Sequence, residues 1–355
     1  MPCKAGAIAI MRAVYFTGNR TLEIREVPDP TPGPDEVVLE IRASGMCGTD
    51  LHAYRDPEPS PNIKGHEPCG VVVARGSAVD QRIVRDGARM MVHHYDGCRT
   101  CPNCITGWSQ LCDEGSVVYG GSVGAPERRG DGAHARWMKV PAHTLVPLPE
   151  ALSFDEGAAV SCGTGTAWGA LRRMKMEGGA TLAVIGQGPV GLSATMLASA
   201  MGARVVAVDI SDERLERAKR FGAAETLNVA DGGLSEQVRG LTGGLGAEYV
   251  MECSGNGPAT EAALAGTRSW GTLCLVGLGA QAQFSTGPEI ILRQISVVGS
   301  WTFSKLGQQE CADFCAARNL PVADLFTHRF DLEDADQAYR LFDTQTTGKA
   351  VLHPS

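Results

Sequence analysis

Residues 181–200 read TLAVIGQGPVGLSATMLASA, and residues 203–209 read ARVVAVD. Thr181–Ile185 is a short, nearly unbroken apolar run, the pattern of a strand buried on both faces. Gly186, Gln187, Gly188, Pro189, Val190 and Gly191 then turn the chain into a helical stretch at 192–200. Gly186 permits the tight bend and Gly188 the close approach of a ligand, while the free N–H groups and dipole of the helix start favour a pyrophosphate. The glycine spacing alone is a weak signal, and a turn that binds nothing is its bland alternative. The context is stronger: the turn follows a strand, opens a helix, and precedes Asp209, eighteen residues past Gly191 at the end of the next strand. A carboxylate there can accept from both hydroxyls of a ribose and repels a 2′-phosphate, so NAD is favoured over NADP. Arg214, five residues on, either flanks the adenosine or is an ordinary solvated helix residue.

The same rhythm continues outward from the turn. Residues 181–186, 204–209, 225–229, 249–253, 272–277 and 296–299 read as six buried strands alternating with helices, which predicts an α/β fold with a doubly wound parallel sheet over 151–300. Before residue 150 the runs at 13–16, 22–27, 36–43, 70–74, 88–93 and 137–140 are short, β-rich and separated by Pro and Gly, which predicts a β-barrel over 1–150. The tail, 301–355, carries amphipathic helical patterns at 309–318 and 332–342 and a last apolar strand at 350–352. It is too short for a domain and is expected to return to the first half. A length of 355 residues favours two domains.

Within the first half, residues 98–112 read CRTCPNCITGWSQLC. Cys98, Cys101, Cys104 and Cys112 can close a tetrahedron around one Zn2+ with no open position, which marks a structural metal. A second set is spread along the chain. Cys47, Thr49 and His52 lie in GMCGTDLH at 45–52, His66 and Glu67 in GHEP at 65–68, and Cys162 in a Gly/Thr-rich turn before the second half. Two cysteines and one histidine make an open site, where zinc acts as a Lewis acid and brings the pKa of a bound hydroxyl from about 16 toward 7. Each of these residues alone has a blander reading, as a buried thiol or a satisfied core histidine.

Composition excludes several classes. A net charge of −8 with no basic tract argues against a nucleic-acid partner. The chain is 43% hydrophobic, yet no apolar run approaches bilayer length, so no membrane span is expected. Of the twelve cysteines, six fall in the metal motifs, which points to a reducing, cytoplasmic compartment rather than to disulfides. The stretch from Met1 to Ile10 is too short for a secretion signal and reads as an extension before a start-like Met11.

The two metal motifs, the 184–191 turn with Asp209, and Glu252-Cys253-Ser254-Gly255 follow one another in an order and spacing that resemble a zinc-dependent medium-chain alcohol dehydrogenase. The resemblance covers nearly all of the chain after Met11. It implies a GroES-like catalytic domain over 1–150, with its zinc lobe at 98–112, a Rossmann NAD-binding domain over 151–300, and a C-terminal segment, 301–355, returning to the catalytic domain. It also implies two zinc ions per chain, NAD, and a homodimer or homotetramer.

Carried over residue by residue, the resemblance makes Cys47, His66 and Cys162 the ligands of a catalytic zinc, with Glu67 beside the metal and Asp50 as the partner of a ligand. Thr49 would accept the substrate proton and pass it through the nicotinamide ribose to His52 and solvent, although its place before Asp50 also suits helix capping. Thr166, Val276, Gly277, Leu278 and residues 301–303, with Trp301, would surround the nicotinamide, and Lys349 would lie near the pyrophosphate. His94, four residues before Cys98, either lines the substrate pocket or faces solvent from a strand. Tyr119, Trp168, Trp301 and Phe303 could supply an apolar wall.

The expected reaction interconverts a secondary alcohol, a polyol or ring alcohol among them, with its ketone. A primary alcohol and aldehyde pair is the nearest alternative. Some polyol and threonine dehydrogenases of this superfamily are expected to carry an acidic third ligand, whereas Cys162 resembles the ordinary alcohol dehydrogenases. An NAD-binding redox sensor and a zinc-free double-bond reductase are both disfavoured by the intact set of Cys47, Thr49, His66 and Cys162.

Overall fold

A computed structural model describes residues 9–121, 128–346 and 348–354. The chain divides into two compact units: one runs up to Cys162 and adds Ser304–Ala316 and the chain from Phe326 onward, and the other comprises Gly163–Phe303 and Ala317–Leu325.

The second unit is built on a six-stranded sheet. Thr181–Ile185, Arg204–Asp209, Glu225–Asn228, Ala247–Glu252, Thr267–Leu275 and Ser296–Gly299 pair in parallel throughout. Numbered along the chain, their spatial order is 3-2-1-4-5-6. The order reverses between the first and fourth strands, and the crevice outside the carboxyl ends at such a point is where doubly wound sheets take their ligands. The inner parallel strands are covered on both faces, which is why Leu182, Ala183, Val184 and Val205 to Val208 are apolar and enclosed. The edge strands Glu225–Asn228 and Ser296–Gly299, read from sequence as buried, are partly exposed, because among the described residues each has a neighbour on one side alone. Ala183, Val206, Val250 and Leu273 pack with Val238, Ala263 and Leu264 from the helices Leu234–Leu241 and Gly257–Gly266.

The fifth strand departs from the 272–277 expected. It begins at Thr267, because Trp270 takes a left-handed φ of 65° and the register slips there, which hides the strand start from an alternation pattern. It stops at Leu275, because the N–H groups of Val276 and Gly277 both donate to Glu252 O and make a turn instead of a ladder.

The first unit holds a seven-stranded sheet in the order Leu145–Pro147, Arg89–Val92, Glu67–Arg75, Glu36–Gly45, Lys349–His353 and Phe326–Asp331, with Trp137–Pro141 also paired to Glu36–Gly45. The hairpin Ile10–Gly18 and Thr21–Pro28 stands beside it as a separate antiparallel pair. Val37, Leu39 and Ile41 meet Val72, Met90, Val92, Met138 and Val140 in one core, and Phe16, Tyr54, Tyr339 and Leu352 form another. Phe326–Asp331 is a strand that the helical reading of the tail overlooks. It is a short edge strand with polar residues on one face, and among the described residues it pairs with Lys349–His353 alone. The helix Phe154–Val160, which delivers Cys162, starts with a capping box between Ser153 and Glu156, a feature worth about 1 kcal/mol. Among the described residues no helix is long and apolar enough to cross a membrane.

Candidate active site

In the first unit Cys47, His66, Glu67 and Cys162 each bring one donor atom to within 4.8 Å of the others. The sheet register accounts for the meeting. Gly45 stands opposite Glu67 on antiparallel strands, so the segment that ends in Cys47 and the one that begins at His66 emerge side by side. Cys162 follows Phe154–Val160, and its sulfur lies 3.9 Å from that of Cys47. A tetrahedron with metal–sulfur bonds of about 2.3 Å has an edge of about 3.8 Å, so the pair fits a shared zinc. The hydrogen bond from Cys162 holds the Cys47 thiol well below its ordinary value, while the Cys162 thiol is pushed up. Without a cation the two sulfurs share one proton, and a metal between them would let both ionise and serve as ligands.

Asp50 ties two of the donors together. Its Oδ1 lies 2.9 Å from His66 Nδ1, which places the ring proton there and leaves the Nε2 lone pair for a metal. Its Oδ2 accepts the Cys47 N–H at 2.9 Å. Burial opposes the charge on Asp50, yet the neighbouring His66 holds its carboxyl down at about 2.

Glu67 is fully buried, with the Lys349 ammonium on its Oε2. Burial pushes the Glu67 carboxyl up to about 8, and Lys349 pulls the other way. Lys349 also donates to Met46 O at 3.3 Å. The ammonium expected near a pyrophosphate is thus engaged beside the metal donors. The only hint of it in the sequence is a lysine opening an otherwise apolar last strand.

Thr49 occupies the N-cap position of the helix Asp50–Arg55 but makes no side-chain cap bond. Its hydroxyl donates to Cys47 Sγ at 3.3 Å and lies 3.4 Å from His66 Nε2. Capping is therefore not what this side chain does. His52 is exposed on the same helix. His94 does not face solvent: it is buried, with its ring centroid 5.1 Å from that of His66 and 4.4 Å from that of Tyr95. Burial, and then His66, push its ring well below the ordinary histidine value, and it bonds to the backbone of Ser161.

Cys98, Cys101, Cys104 and Cys112 likewise converge within 4.8 Å. The sulfurs of Cys98 and Cys104 are 4.0 Å apart, again close to a tetrahedral edge. Backbone N–H groups of Cys98 and Cys101 donate to Cys112 Sγ at 3.2 Å and to Cys98 Sγ at 3.3 Å, so local turns supply the lobe's internal support.

In the second unit the Gly-rich turn lies at the carboxyl end of the first strand. Gly186 has a φ of +85°, and a Cβ at Gly191 would sit 1.8 Å from Gly186 O, so both positions need glycine. A Cβ at Gly188, the residue capping the helix Pro189–Ala200, would meet nothing within 4 Å, leaving space for a phosphate beside the N–H groups of Val190 and Gly191. Asp209 Oδ2 accepts the Gln187 N–H at 2.6 Å, which couples the acidic strand end to the turn. Arg214 is half-buried with Nη1 3.9 Å from Asp209 Oδ2, and so is not a simply solvated residue. Val276, Leu278 and Trp301 follow the carboxyl ends of the fifth and sixth strands, at the same end of the sheet, and Thr166 lies half-buried on Gly163–Arg173.

The sequence models of two families match the chain: an alcohol dehydrogenase GroES-like domain over residues 33–150 and a zinc-binding dehydrogenase domain over residues 189–317. The chain is 36% identical to the uncharacterized zinc-type alcohol dehydrogenase-like protein YphC of Escherichia coli, over 97% of this chain and 98% of that one. It belongs to the zinc-dependent medium-chain alcohol dehydrogenase family. Sorbitol dehydrogenase of Bacillus subtilis is 31% identical over 92% of each chain. Among solved structures, the alcohol dehydrogenase TADH from Thermus sp. ATN1 matches with a TM-score of 0.89 and 29% identity, over 97% of this chain and 100% of that one. The enzyme is therefore an alcohol oxidoreductase made of a GroES-like domain and a Rossmann domain.

Proposed function

We propose that this dehydrogenase transfers a hydride between a secondary alcohol, of the polyol or ring-alcohol kind, and NAD, giving the ketone. The observation that carries this reading is the convergence of Cys47, His66 and Cys162 with the Thr49 hydroxyl against two of them. When bound, zinc supplies Lewis-acid polarisation of the substrate oxygen and the nicotinamide takes the hydride. Thr49 Oγ1 would accept the substrate's hydroxyl proton as it passes on its own, and His52, exposed on the helix that Thr49 precedes, would deliver a proton to solvent. Asp50 holds the His66 tautomer that keeps Nε2 available. The lobe cysteines hold the second zinc.

Asp209 favours NAD, because its carboxylate meets a ribose diol but repels a 2′-phosphate. The buried ring of His94 beside His66 gives the site a polar wall, which suits a substrate bearing a second oxygen. The sorbitol dehydrogenase relative points the same way. Six of the twelve cysteines stand in the two donor clusters, which suits a reducing, cytoplasmic setting. Ser296–Gly299 is an edge strand flanked by Trp270, 78% exposed, and Leu292, 80% exposed, which suits pairing with a second copy into a dimer or tetramer. A screen of secondary alcohols, polyols, hydroxylated rings and primary alcohols with NAD and NADP tests the reading. Fastest turnover of a primary alcohol, or a preference for NADP, would overturn the corresponding half.

A further inference from the structure

The donors Cys47 and His66 rest on a buried hydrogen-bonded chain that the reaction itself does not use. Ser44 Oγ lies 2.7 Å from His134 Nδ1, and His134 Nε2 lies 2.7 Å from the Tyr339 hydroxyl. All three residues are 0% exposed. They come from three separate parts of the first unit: Ser44 from Glu36–Gly45, three residues before Cys47; His134 from the segment leading into Trp137–Pro141; and Tyr339 from the helix Ala335–Asp343.

His134 is laid along the approach to His66. Its N–H donates to Lys64 O at 2.8 Å, and the neighbouring Ala133 N–H donates to Gly65 O at 2.8 Å. Gly65, the residue before His66, has a φ of +97°, and a Cβ there would lie 2.4 Å from His134 Nδ1 and 2.7 Å from Ser44 Oγ. The imidazole is therefore wedged between the segment leading to Cys47 and the segment leading to His66. Tyr339 anchors the far end. Its ring centroid is 4.8 Å from that of Phe16 and 5.3 Å from that of Tyr54, and Tyr54 lies on the helix that starts at Asp50, the carboxylate bonded to both donors.

A neutral imidazole has one N–H and one acceptor nitrogen, and two hydroxyls that can each donate or accept satisfy it in either tautomer. Three apolar side chains would fill the same space without desolvating any polar group. What the polar chain adds is direction, because each bond fixes an orientation that packing alone leaves loose.

We propose that Ser44, His134 and Tyr339 are positioning residues whose linked hydrogen bonds set the spacing of Cys47 and His66, and with it the retention of the zinc held between them. The inference rests on Cys47, His66 and Cys162 being zinc ligands. All three are enclosed behind the donors, and their effect passes through Gly65 and the strand end at Gly45.

The test is zinc release from the purified holoenzyme into a chromogenic chelator, with residual activity followed alongside. Wild type is expected to release two zincs in separate phases, the faster one coinciding with loss of turnover. His134→Phe should speed that phase by about tenfold, with kcat falling more than KM, and Tyr339→Phe, which loses one oxygen and keeps the ring, should speed it severalfold. In both variants the slower lobe phase should stay at the wild-type rate. His134→Gln, whose amide can donate to one hydroxyl and accept from the other, should return the fast phase to within about threefold of wild type. If His134→Phe fails to fold, Tyr339→Phe carries the test.

A fast phase within about twofold of wild type in the variants that fold would overturn the proposal, as would equal acceleration of both phases, which is general loosening. A wild-type enzyme holding one zinc, in the lobe, would overturn the ligand reading and the proposal with it, and so tells the two failures apart.

Discussion

The two clusters of the first unit that could hold a metal arrive at nearly the same donor spacing, 4.0 Å between Cys98 and Cys104 and 3.9 Å between Cys47 and Cys162, by opposite routes. The lobe collects its four cysteines within fifteen positions of sequence, leaves them half-buried, and supports them with its own backbone N–H groups. The other cluster draws on residues 115 positions apart, and holds them through strand register, Asp50, and the Glu67–Lys349 pair. A closed ring of four local thiolates gains its order from the metal, so there metal binding is folding. A cluster preassembled by the rest of the protein needs only three protein ligands and keeps a position for chemistry.

The largest expected effect separates these two roles. Cys162→Ser should reduce turnover by about a thousandfold or more while thermal unfolding and cofactor binding stay near wild type. Cys101→Ser should instead lower the melting temperature or the yield of folded enzyme. Comparable unfolding curves for the two variants would erase the distinction. Next in size, Thr49→Ala should lose about 10²- to 10⁴-fold in kcat at every pH, and Thr49→Ser should recover most of it. An Ala variant that turns over normally with its zinc in place would remove Thr49 from proton transfer.

How much of this is legible in the sequence follows the same local-versus-distant divide. The turn from Gly186 to Gly191 and the four lobe cysteines announce themselves because each motif is contiguous and its spacing has a geometric reason. The strands Arg204–Asp209 and Ser296–Gly299 lie where their apolar runs predict. Legibility falls where structure depends on distant partners. Phe326–Asp331 is a strand only by pairing with Lys349–His353. Lys349 pairs with Glu67, and His134 bridges Ser44 and Tyr339, 205 positions further along. Nothing in the residues flanking His134 signals that bridge. Trp270 in a left-handed conformation breaks the alternation that would reveal the fifth strand's start.

Smaller effects sharpen the contrast between the first unit's chemistry and the second unit's cofactor selection. Asp209→Ala should narrow the ratio of kcat/KM for NAD over NADP by about 10- to 100-fold, the worth of one or two charge-assisted hydrogen bonds. Because Asp209 also accepts from Gln187 N–H, the melting temperature should fall slightly as well, and a drop in stability with an unchanged ratio would assign the carboxylate to the turn alone. The mildest change is expected from His52→Gln: a severalfold slower oxidation whose deficit shrinks as pH rises or as amine buffer is added, since solvent base then takes the proton directly. An equal deficit at all pH values would remove His52 from proton release.

The central claim is that the open cluster of Cys47, His66 and Cys162 carries the chemistry while the closed lobe carries structure. Stepwise chelation of the purified enzyme tests it most directly, with zinc per chain, NAD-linked alcohol oxidation and circular dichroism followed together. Two zincs per chain are expected. Loss of the first should abolish turnover with the fold intact, and added Zn2+ should restore it. A single zinc confined to the lobe, or turnover that survives loss of the labile ion, would contradict the account.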